Sequence, residues 1–396
     1  MKVIIAIDTF KGSLSSLEAA EAVQQGILEA AAELNLFDID CQYLAIADGG
    51  EGTIAALEQT LNGKRISIPV QDPLGRKIPA QYLQCQDNVA IIEMAQASGL
   101  TLLEEDERNP LKTSTFGTGE LLLAAIEAGF SNIFIGIGGS ATNDAGMGLL
   151  RALGIRFLNS EGGELVGKGE DLLEIETIDL SPIHQKLRNH EVKLSVICDV
   201  NNPLYGPNGA AQVFGPQKCR SFVQSAEIDP IIETLDRGLI HYATKVSEAL
   251  GVSASAIVSL PGAGAAGGLG AALANFLGAD LIPGIEAVLK LVDGEAKIRE
   301  ADWVVTGEGQ LDAQSIFGKV PMGVAAIAKK YNIPVIGLSG AIEGDPVQLH
   351  HYGINSYFSM INRPLSLEKA MDKATATKML KQTARELFRL IMIAKH

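Results

Sequence analysis

Both ends of the chain alternate between short apolar segments, glycine-containing polar loops and helical patterns. Near the N-terminus, the apolar residues 3–7 lead through residues 8–13 into a helical pattern that ends at about Leu34. Near the C-terminus, residues 303–305 lead through a Gly/Glu-rich loop at residues 306–312 into a helical pattern and another strand. Strand, loop and helix in this order are typical of a parallel sheet. The pattern predicts an α/β fold with an open parallel sheet built from both chain ends.

The middle of the chain has a different pattern. Two segments of alternating polarity, residues 78–83 and 89–93, flank a polar turn and predict a β-hairpin. The length of 396 residues exceeds that of one ordinary core. We predict a discontinuous domain of residues 1–68 and 286–396, and an inserted α/β domain of residues 69–285. Ligands of open α/β sheets bind beyond the carboxyl ends of the strands, so we expect the active site in the cleft between the domains.

The composition limits the partners and the cellular location that we expect for the protein. The chain carries 47 acidic residues against 32 lysines and arginines, so a broad basic surface for nucleic acid is excluded. Four widely separated cysteines without a C-x-x-C pair indicate reduced thiols and a cytoplasmic location. Residues 249–279 are uncharged, but they contain seven glycines and few large aliphatic side chains, so no membrane span is predicted.

A glycine-rich segment at residues 136–148 follows the apolar residues 133–137 and precedes a helical pattern. Free backbone N–H groups between a strand and a helix bind anions, and hydroxyl groups add donors. The predicted phosphate-binding residues are Gly138, Gly139, Ser140 and Thr142. Asp144 in the same segment is a candidate for metal binding or for accepting a proton. The alternative is a tight strand-to-helix connection with Asp144 near the helix N-cap.

Two further glycine motifs resemble nucleotide-binding loops. Gly262, Gly264 and Gly267 form a G-x-G-x-x-G pattern after a possible strand at residues 256–260, which would suit an NAD-dependent oxidoreductase. Residues 162–169 resemble a P-loop, but glycine replaces the Ser or Thr that would hold magnesium. We interpret the second motif as a surface turn.

Acidic residues recur in loops after predicted strands. Carboxylates in such loops hold hydrated Mg²⁺, while backbone N–H groups and a lysine bind phosphates. Together they indicate phosphoryl-transfer chemistry. The residues are Asp8, Asp48, Glu51, Asp144, Asp199, Glu308 and Asp312, with Lys11 close to the first of them.

These motifs resemble the type I glycerate kinases along essentially the whole chain. The resemblance implies phosphorylation of glycerate with ATP and Mg²⁺, with 2-phosphoglycerate favoured as product. It also implies a flavodoxin-like domain made from both chain ends and an inserted α/β domain. The matching segments are residues 8–13, 47–53, 72–76, 93–100, 114–120, 136–148, 198–204, 215–218, 261–270 and 306–321.

Roles for individual residues follow as hypotheses from the resemblance and from side-chain chemistry. Asp199 is the first candidate for the base that accepts the substrate hydroxyl proton, and Asp144 is the second. Lys11, also placed among the catalytic residues, and Arg76 are expected to hold the carboxylate or the transferred phosphoryl group. The predicted substrate-binding residues are Lys11, Ser13, Asp48, Arg76 and Thr115. Lys319 is assigned to the γ-phosphate, and Glu308 and Asp312 are assigned to magnesium.

Other functions stay open at this stage. Another small hydroxy acid could be the acceptor, or a non-catalytic sensor could bind a small carboxylate between two domains. The NAD-dependent oxidoreductase is a further alternative. The sequence leaves open whether the protein is a monomer or a homodimer, and it does not fix the phosphorylated hydroxyl.

Overall fold

The computed structural model describes residues 1–10, 12–36, 38–44, 46, 57–58, 61–219, 225–311, 320–344 and 347–395. The chain divides into two compact units. Unit 1 comprises residues 1–48 and 284–396, and unit 2 comprises residues 49–283.

Thirteen strands lie in the described ranges: β1 (Lys2–Ile7), β2 (Asp40–Tyr43), β3 (Lys64–Gln71), β4 (Lys77–Gln84), β5 (Val89–Glu93), β6 (Asn132–Gly136), β7 (Arg156–Leu158), β8 (Thr177–Asp179), β9 (Lys193–Ile197), β10 (Asp280–Ile282), β11 (Trp303–Leu311), β12 (Val335–Ile342) and β13 (Ser356–Ser359). The α-helices of the same ranges are α1 (Ser16–Glu33), α2 (Ala95–Ser98), α3 (Phe116–Glu127), α4 (Met147–Ala152), α5 (Gln185–Arg188), α6 (Ala210–Phe214), α7 (Ser225–Leu250), α8 (Ala254–Ser259), α9 (Ala265–Leu277), α10 (Gly284–Leu291), α11 (Gly294–Arg299), α12 (Val320–Lys330), α13 (Gln348–His351), α14 (Leu367–Met371) and α15 (Lys373–Lys395).

Unit 1 contains a five-stranded parallel sheet in the order β13-β12-β11-β1-β2. Counted along the chain within this unit, the order is 2-1-3-4-5, which is the flavodoxin-like order. The predicted open parallel sheet from both chain ends is therefore confirmed. The order places β1 beside β11 at the point where the strand sequence reverses, which is where ligands bind in this class of sheet.

β11 is longer than the sequence pattern predicts. The Gly/Glu-rich residues 306–311 continue the strand instead of forming a loop. The reason lies in Gly307, because a Cβ atom there would lie 1.9 Å from the carbonyl oxygen of Leu338 on β12. Glycine in this strand thus allows a close backbone approach, and it does not mark a turn.

Helix α1 covers the sheet of unit 1 together with α15. Ser15 and Glu18 form the predicted capping box at the start of α1. The two helices approach closely at Gly26, where a Cβ atom would lie 2.3 Å from the carbonyl oxygen of Lys381. The helical pattern of residues 367–394 predicts a single helix, but Asp372 separates α14 from α15.

Unit 2 contains a six-stranded mixed sheet in the order β10-β9-β6-β5-β4-β3. The strands from β10 to β5 are parallel, and the pairs β5–β4 and β4–β3 are antiparallel. The predicted hairpin of β4 and β5 is confirmed, and β3 extends it by a strand that the sequence analysis missed. None of the helices in the described ranges combines the length and apolar character needed to cross a bilayer.

Candidate active site

A cavity of about 310 Å³ lies in unit 2 at the carboxyl ends of β6 and β9. Gly138, Gly139 and Ser140 line it after β6, and Asp199 lines it after β9. β6 and β9 are neighbouring parallel strands, so the residues that follow them meet at one sheet edge. The structure thus brings three of the predicted phosphate-binding residues and the predicted base into one cavity.

The loop at residues 138–140 presents backbone donors to this cavity. Two backbone hydrogen bonds fix the loop in place. The Gly139 carbonyl oxygen accepts from Leu100 N–H, and the N–H group of Ala141, directly after the loop, donates to the Ser98 carbonyl oxygen. Gly138 and Gly139 are exposed, and Gly139 has φ of +72°, a conformation that favours glycine. Within the described residues, the N–H groups of Gly138, Gly139 and Ser140 donate to no other protein group. They are available to an anion in the cavity.

The second half of the glycine-rich segment is buried. Thr142, Asn143 and Asp144 have no solvent exposure. The Asp144 carboxylate accepts hydrogen bonds from the N–H groups of Gly146 and Gly148 at the start of α4. The positive end of this helix is therefore already capped by a protein carboxylate, as in the alternative of a tight connection. An anion would therefore have to bind at the exposed residues Gly138 and Gly139, which precede the buried part of the segment.

Thr115 completes the shell around Asp144. Its N–H and hydroxyl groups both donate to Asp144 Oδ2 at 2.8 Å, and its hydroxyl oxygen accepts from Leu149 N–H at 2.9 Å. Burial raises the pKa of Asp144, against the opposing effect of these donors. The geometry places Thr115 and Asp144 in a buried network, which favours a structural part for both.

Lys218 is a cavity residue that the sequence analysis did not select. It follows α6 in the short 3₁₀ turn Pro216–Lys218 and is only 1% exposed. Its ammonium group donates to the carbonyl oxygen of Thr142 at 2.7 Å. Burial lowers the pKa of Lys218 to about 7, although the Asp144 carboxylate acts in the opposite direction. A buried lysine is thus fixed to the glycine-rich segment at the edge of the cavity.

Arg76 lies elsewhere in unit 2, in a network of ion pairs. Its guanidinium donates to the buried Asp72 carboxylate and to Glu107. Both carboxylates raise the pKa of Arg76, Glu107 most strongly. Because its donors already face two protein carboxylates, a substrate carboxylate would have to compete with them.

Two acidic side chains of unit 1 lie at the switch point of its sheet. Asp8 follows β1 and Glu308 lies on β11, and the Asp8 N–H donates to the Gly307 carbonyl oxygen at 2.9 Å. Ser13, half-buried, lies in the turn after Asp8. Four other predicted site residues, Lys11, Asp48, Asp312 and Lys319, lie outside the described residues.

The donor chemistry at this switch point fits Mg²⁺. Mg²⁺ takes oxygen ligands and is commonly held by one or two carboxylates together with water and substrate phosphates. Glu308 is 7% exposed, and Asp8 directly follows Ile7, which pairs with Gly307 next to Glu308. The described residues contain no cluster of three or more His, Cys, Asp or Glu side chains that could hold a metal without such help.

Comparison with known proteins identifies the family. The sequence profile of the glycerate kinase family matches residues 3–392. The chain belongs to the glycerate kinase family. It is 46% identical to the glycerate kinase of Bacillus subtilis (strain 168), over 100% of this chain and 99% of that protein. It is 44% identical to the glycerate 2-kinase of Escherichia coli (strain K12), over 93% of each chain.

A solved structure agrees with this assignment. The crystal structure of a protein assigned as glycerate kinase 2 from Salmonella typhimurium LT2 superposes with a TM-score of 0.83 at 42% identity. The match covers 100% of this chain and 99% of the other. As a member of the glycerate kinase family, the chain is an enzyme of the kinase class.

The dinucleotide pattern at Gly262–Gly267 has another explanation in this kinase. The predicted strand at residues 256–260 is wrong, because residues 254–259 form helix α8. The glycines serve packing instead: a Cβ atom at Gly267 would lie 2.2 Å from the Thr142 carbonyl oxygen. The Gly267 carbonyl oxygen accepts from Ala145 N–H at 3.0 Å, so the two glycine-rich segments hold each other. The oxidoreductase alternative loses the strand on which it depended.

Proposed function

We propose that this member of the glycerate kinase family transfers the γ-phosphoryl group of ATP to the 2-hydroxyl of glycerate in the presence of Mg²⁺. The observation that carries the proposal is the cavity of unit 2, which Asp199 and the glycine-rich residues after β6 line together. A proton acceptor and a set of anion donors are what transfer to a hydroxy acid requires.

Asp199 supplies the base in this scheme. It accepts the proton of the acceptor hydroxyl while that oxygen bonds to the γ-phosphorus and the bond to the β-bridging oxygen breaks. ADP leaves with the electron pair of the broken bond. The N–H groups of Gly138, Gly139 and Ser140 stabilise negative charge on a bound oxyanion without reorganising during the reaction.

Mg²⁺ would be held by Glu308 and Asp312 with water and phosphate oxygens, and it would neutralise phosphate charge when bound. We also infer the remaining roles of the sequence analysis: Lys11, Ser13, Asp48 and Arg76 toward the substrate, and Lys319 toward the γ-phosphate. Of this substrate set, Arg76 is the weakest candidate because of its two ion pairs. A type I, cytoplasmic enzyme is the form we expect, consistent with four free cysteines.

The deciding experiment incubates the protein with ATP, Mg²⁺ and D-glycerate and identifies the phosphorylated carbon by ³¹P and ¹³C NMR. We expect 2-phosphoglycerate. Parallel reactions with L-glycerate, lactate and glycolate test the alternative acceptor. 3-Phosphoglycerate would refute the regiochemistry, and turnover of another acid without turnover of glycerate would refute the substrate. Omission of Mg²⁺ should abolish product formation.

A further inference from the structure

Lys218 has no part in the proposed reaction so far, yet it lines the same cavity. The side chain lines the cavity together with Asp199 and the residues after β6. Burying a lysine costs free energy unless the charge is paired or the proton is lost. Lys218 at the wall of a cavity can therefore keep its charge at low cost only when an anion lies beside it.

The hydrogen bonding of Lys218 leaves donors for a ligand. An ammonium group has three hydrogens, and Lys218 uses one of them for the Thr142 carbonyl oxygen. The described residues provide no second acceptor for Lys218 Nζ. The bond to Thr142 fixes Nζ to the same segment that carries Gly138, Gly139 and Ser140.

We propose that Lys218 is the cation of the oxyanion subsite, donating to the same anion as the N–H groups of Gly138, Gly139 and Ser140. The inference rests on the proposed function for the identity of the anion, which is the transferred phosphoryl group or the carboxylate of the acid. A local cation also resolves the problem that the chain as a whole, at a net charge of −15, repels its substrates.

Asp144 acts on the pKa of Lys218, and three further titratable groups lie at the cavity or beside Asp144. Asp144 lies in the buried network behind it, Asp199 and Cys198 line the cavity, and Tyr242 of α7 is buried near Asp144. Burial and Asp144 both raise the pKa of Tyr242, so its hydroxyl stays neutral. Burial lowers the pKa of Lys218 to about 7, so this amine loses its proton more readily than an exposed lysine does. An anion that contacts Nζ favours the ammonium form and so draws a proton from solvent.

The test is calorimetric titration of the wild-type protein with sodium sulfate and, separately, with D-glycerate at pH 8. Sulfate represents the phosphoryl group and glycerate the carboxylate, and neither ligand titrates in this range. Each titration is repeated in two buffers of different ionisation enthalpy. We expect net uptake of up to one proton with the anion that contacts Lys218, and much less uptake at pH 6.

Variants separate the lysine from other causes of proton uptake. Lys218→Met should lower the affinity for that anion by roughly 10- to 100-fold, because a charge-assisted hydrogen bond is lost, and it should abolish the proton uptake. Lys218→Arg should bind without proton uptake, because arginine stays protonated. Lys186→Met is the matched control: Lys186 also donates to a backbone carbonyl, that of Ile126, but does not line the cavity.

The outcomes distinguish this inference from the proposed reaction. Proton uptake and variant effects with one anion support the Lys218 assignment and show which anion it holds, whether or not ATP and glycerate react. Absence of proton uptake with both anions, together with unchanged affinity in Lys218→Met, would overturn it. If Lys218→Met fails to fold, Lys218→Arg decides: binding of the same anion without proton uptake supports the assignment, and unchanged uptake overturns it.

Discussion

Asp199 and Asp144 are the two candidates for the catalytic base, and the structure gives them opposite surroundings. Asp199 is exposed and lines the cavity, whereas Asp144 is fully buried beneath donors from Thr115, Gly146 and Gly148. A proton acceptor must reach its substrate, and a buried carboxylate with four donors is better suited to holding backbone in place.

Replacing Asp199 by asparagine should lower kcat by roughly 100- to 10,000-fold, because general-base catalysis is lost. The free energy of unfolding should change little, since the side chain is exposed. Turnover is measured by coupled detection of ADP, and stability by urea unfolding. Near-wild-type kcat in a folded Asp199→Asn protein would remove Asp199 from the mechanism.

Replacing Asp144 by asparagine should lower the free energy of unfolding by about 2 to 4 kcal/mol, because charge-assisted hydrogen bonds to buried donors are lost. Asp179→Asn is the control, since Asp179 forms an exposed ion pair with Arg156 and should give a much smaller change. Urea unfolding measures both. A stable Asp144→Asn protein that has lost turnover would instead make Asp144 the catalytic base.

The buried lysine should make stability depend on pH. Its folded pKa of about 7 lies below the unfolded value of 10.5, so between these values the unfolded chain binds more protons and stability rises with pH. Relative to Lys218→Met, the wild-type protein should gain about 2 to 3 kcal/mol between pH 6.5 and pH 9. Urea unfolding at several pH values measures this, with Lys186→Met as reference. A pH-independent difference would contradict the neutral buried lysine.

At the level of residues, the sequence predicted the exposed part of the site better than the buried part. Gly138, Gly139, Ser140 and Asp199 share a cavity, as the loop chemistry suggested. Lys218 was missed because a single lysine in a Gly/Pro-rich loop has the pattern of a solvated charge. Only the packing of the 3₁₀ turn shows that its side chain is buried. The roles of all these residues remain predictions.

At the scale of elements, the glycine-rich segments are joined by backbone contacts that leave no room for side chains. Gly267 has φ of +71° and its missing Cβ would contact the Thr142 carbonyl oxygen. Gly278 ends α9 with a similar φ of +64°, yet no atom lies within 4 Å of its Cβ position. Comparing alanine substitutions at the two positions therefore separates two contributions to the free energy of unfolding: the left-handed backbone conformation and the steric clash of the added Cβ atom.

Gly278→Ala should cost about 1 to 2 kcal/mol, which is the price of a left-handed alanine. Gly267→Ala should cost at least about 3 kcal/mol, because displacement of the Thr142 backbone is added. It should also weaken anion binding, since Lys218 is bonded to that same carbonyl group. Urea unfolding and sulfate titration of both variants provide the measurements. Equal losses of stability in the two variants would show that the two glycine-rich segments can move apart without cost.

The elements themselves were predictable where polarity patterns are regular. β1, α1 and the β4–β5 hairpin occur where the sequence placed them, because capping residues and alternation define them locally. β11 and α8 were misjudged for a shared reason. Glycines and short apolar segments occur in strands, helices and loops alike, and their tertiary neighbours determine which of these structures forms.

At the scale of the whole molecule, unit 1 depends on the last helix of the chain. α15 buries Leu380, Phe388 and Met392 in the same core as Val23 and Ile27 of α1. Without α15 that apolar surface of α1 would face water.

Deletion of residues 373–396 should leave unit 1 unfolded or aggregated, which circular dichroism and limited proteolysis would detect. The matched control is the double variant Leu390→Gln and Ile393→Gln on the same helix, because both side chains are largely exposed. It should keep the wild-type unfolding midpoint. A truncated chain with intact protection of β1 and β11 would contradict this dependence.

The pairing of β1 with β11 has a consequence for how the protein is made. Hydrogen-bonded neighbours in these strands, such as Ala6 and Thr306, are 300 residues apart in the chain. At translation rates of 5–20 residues per second, β11 is completed roughly 15 to 60 s after β1. All strands of unit 2 are synthesised within that interval. One edge of β1 can therefore pair with β2 soon after both strands are made, whereas its other edge stays without β11 until the strands of unit 2 have been synthesised.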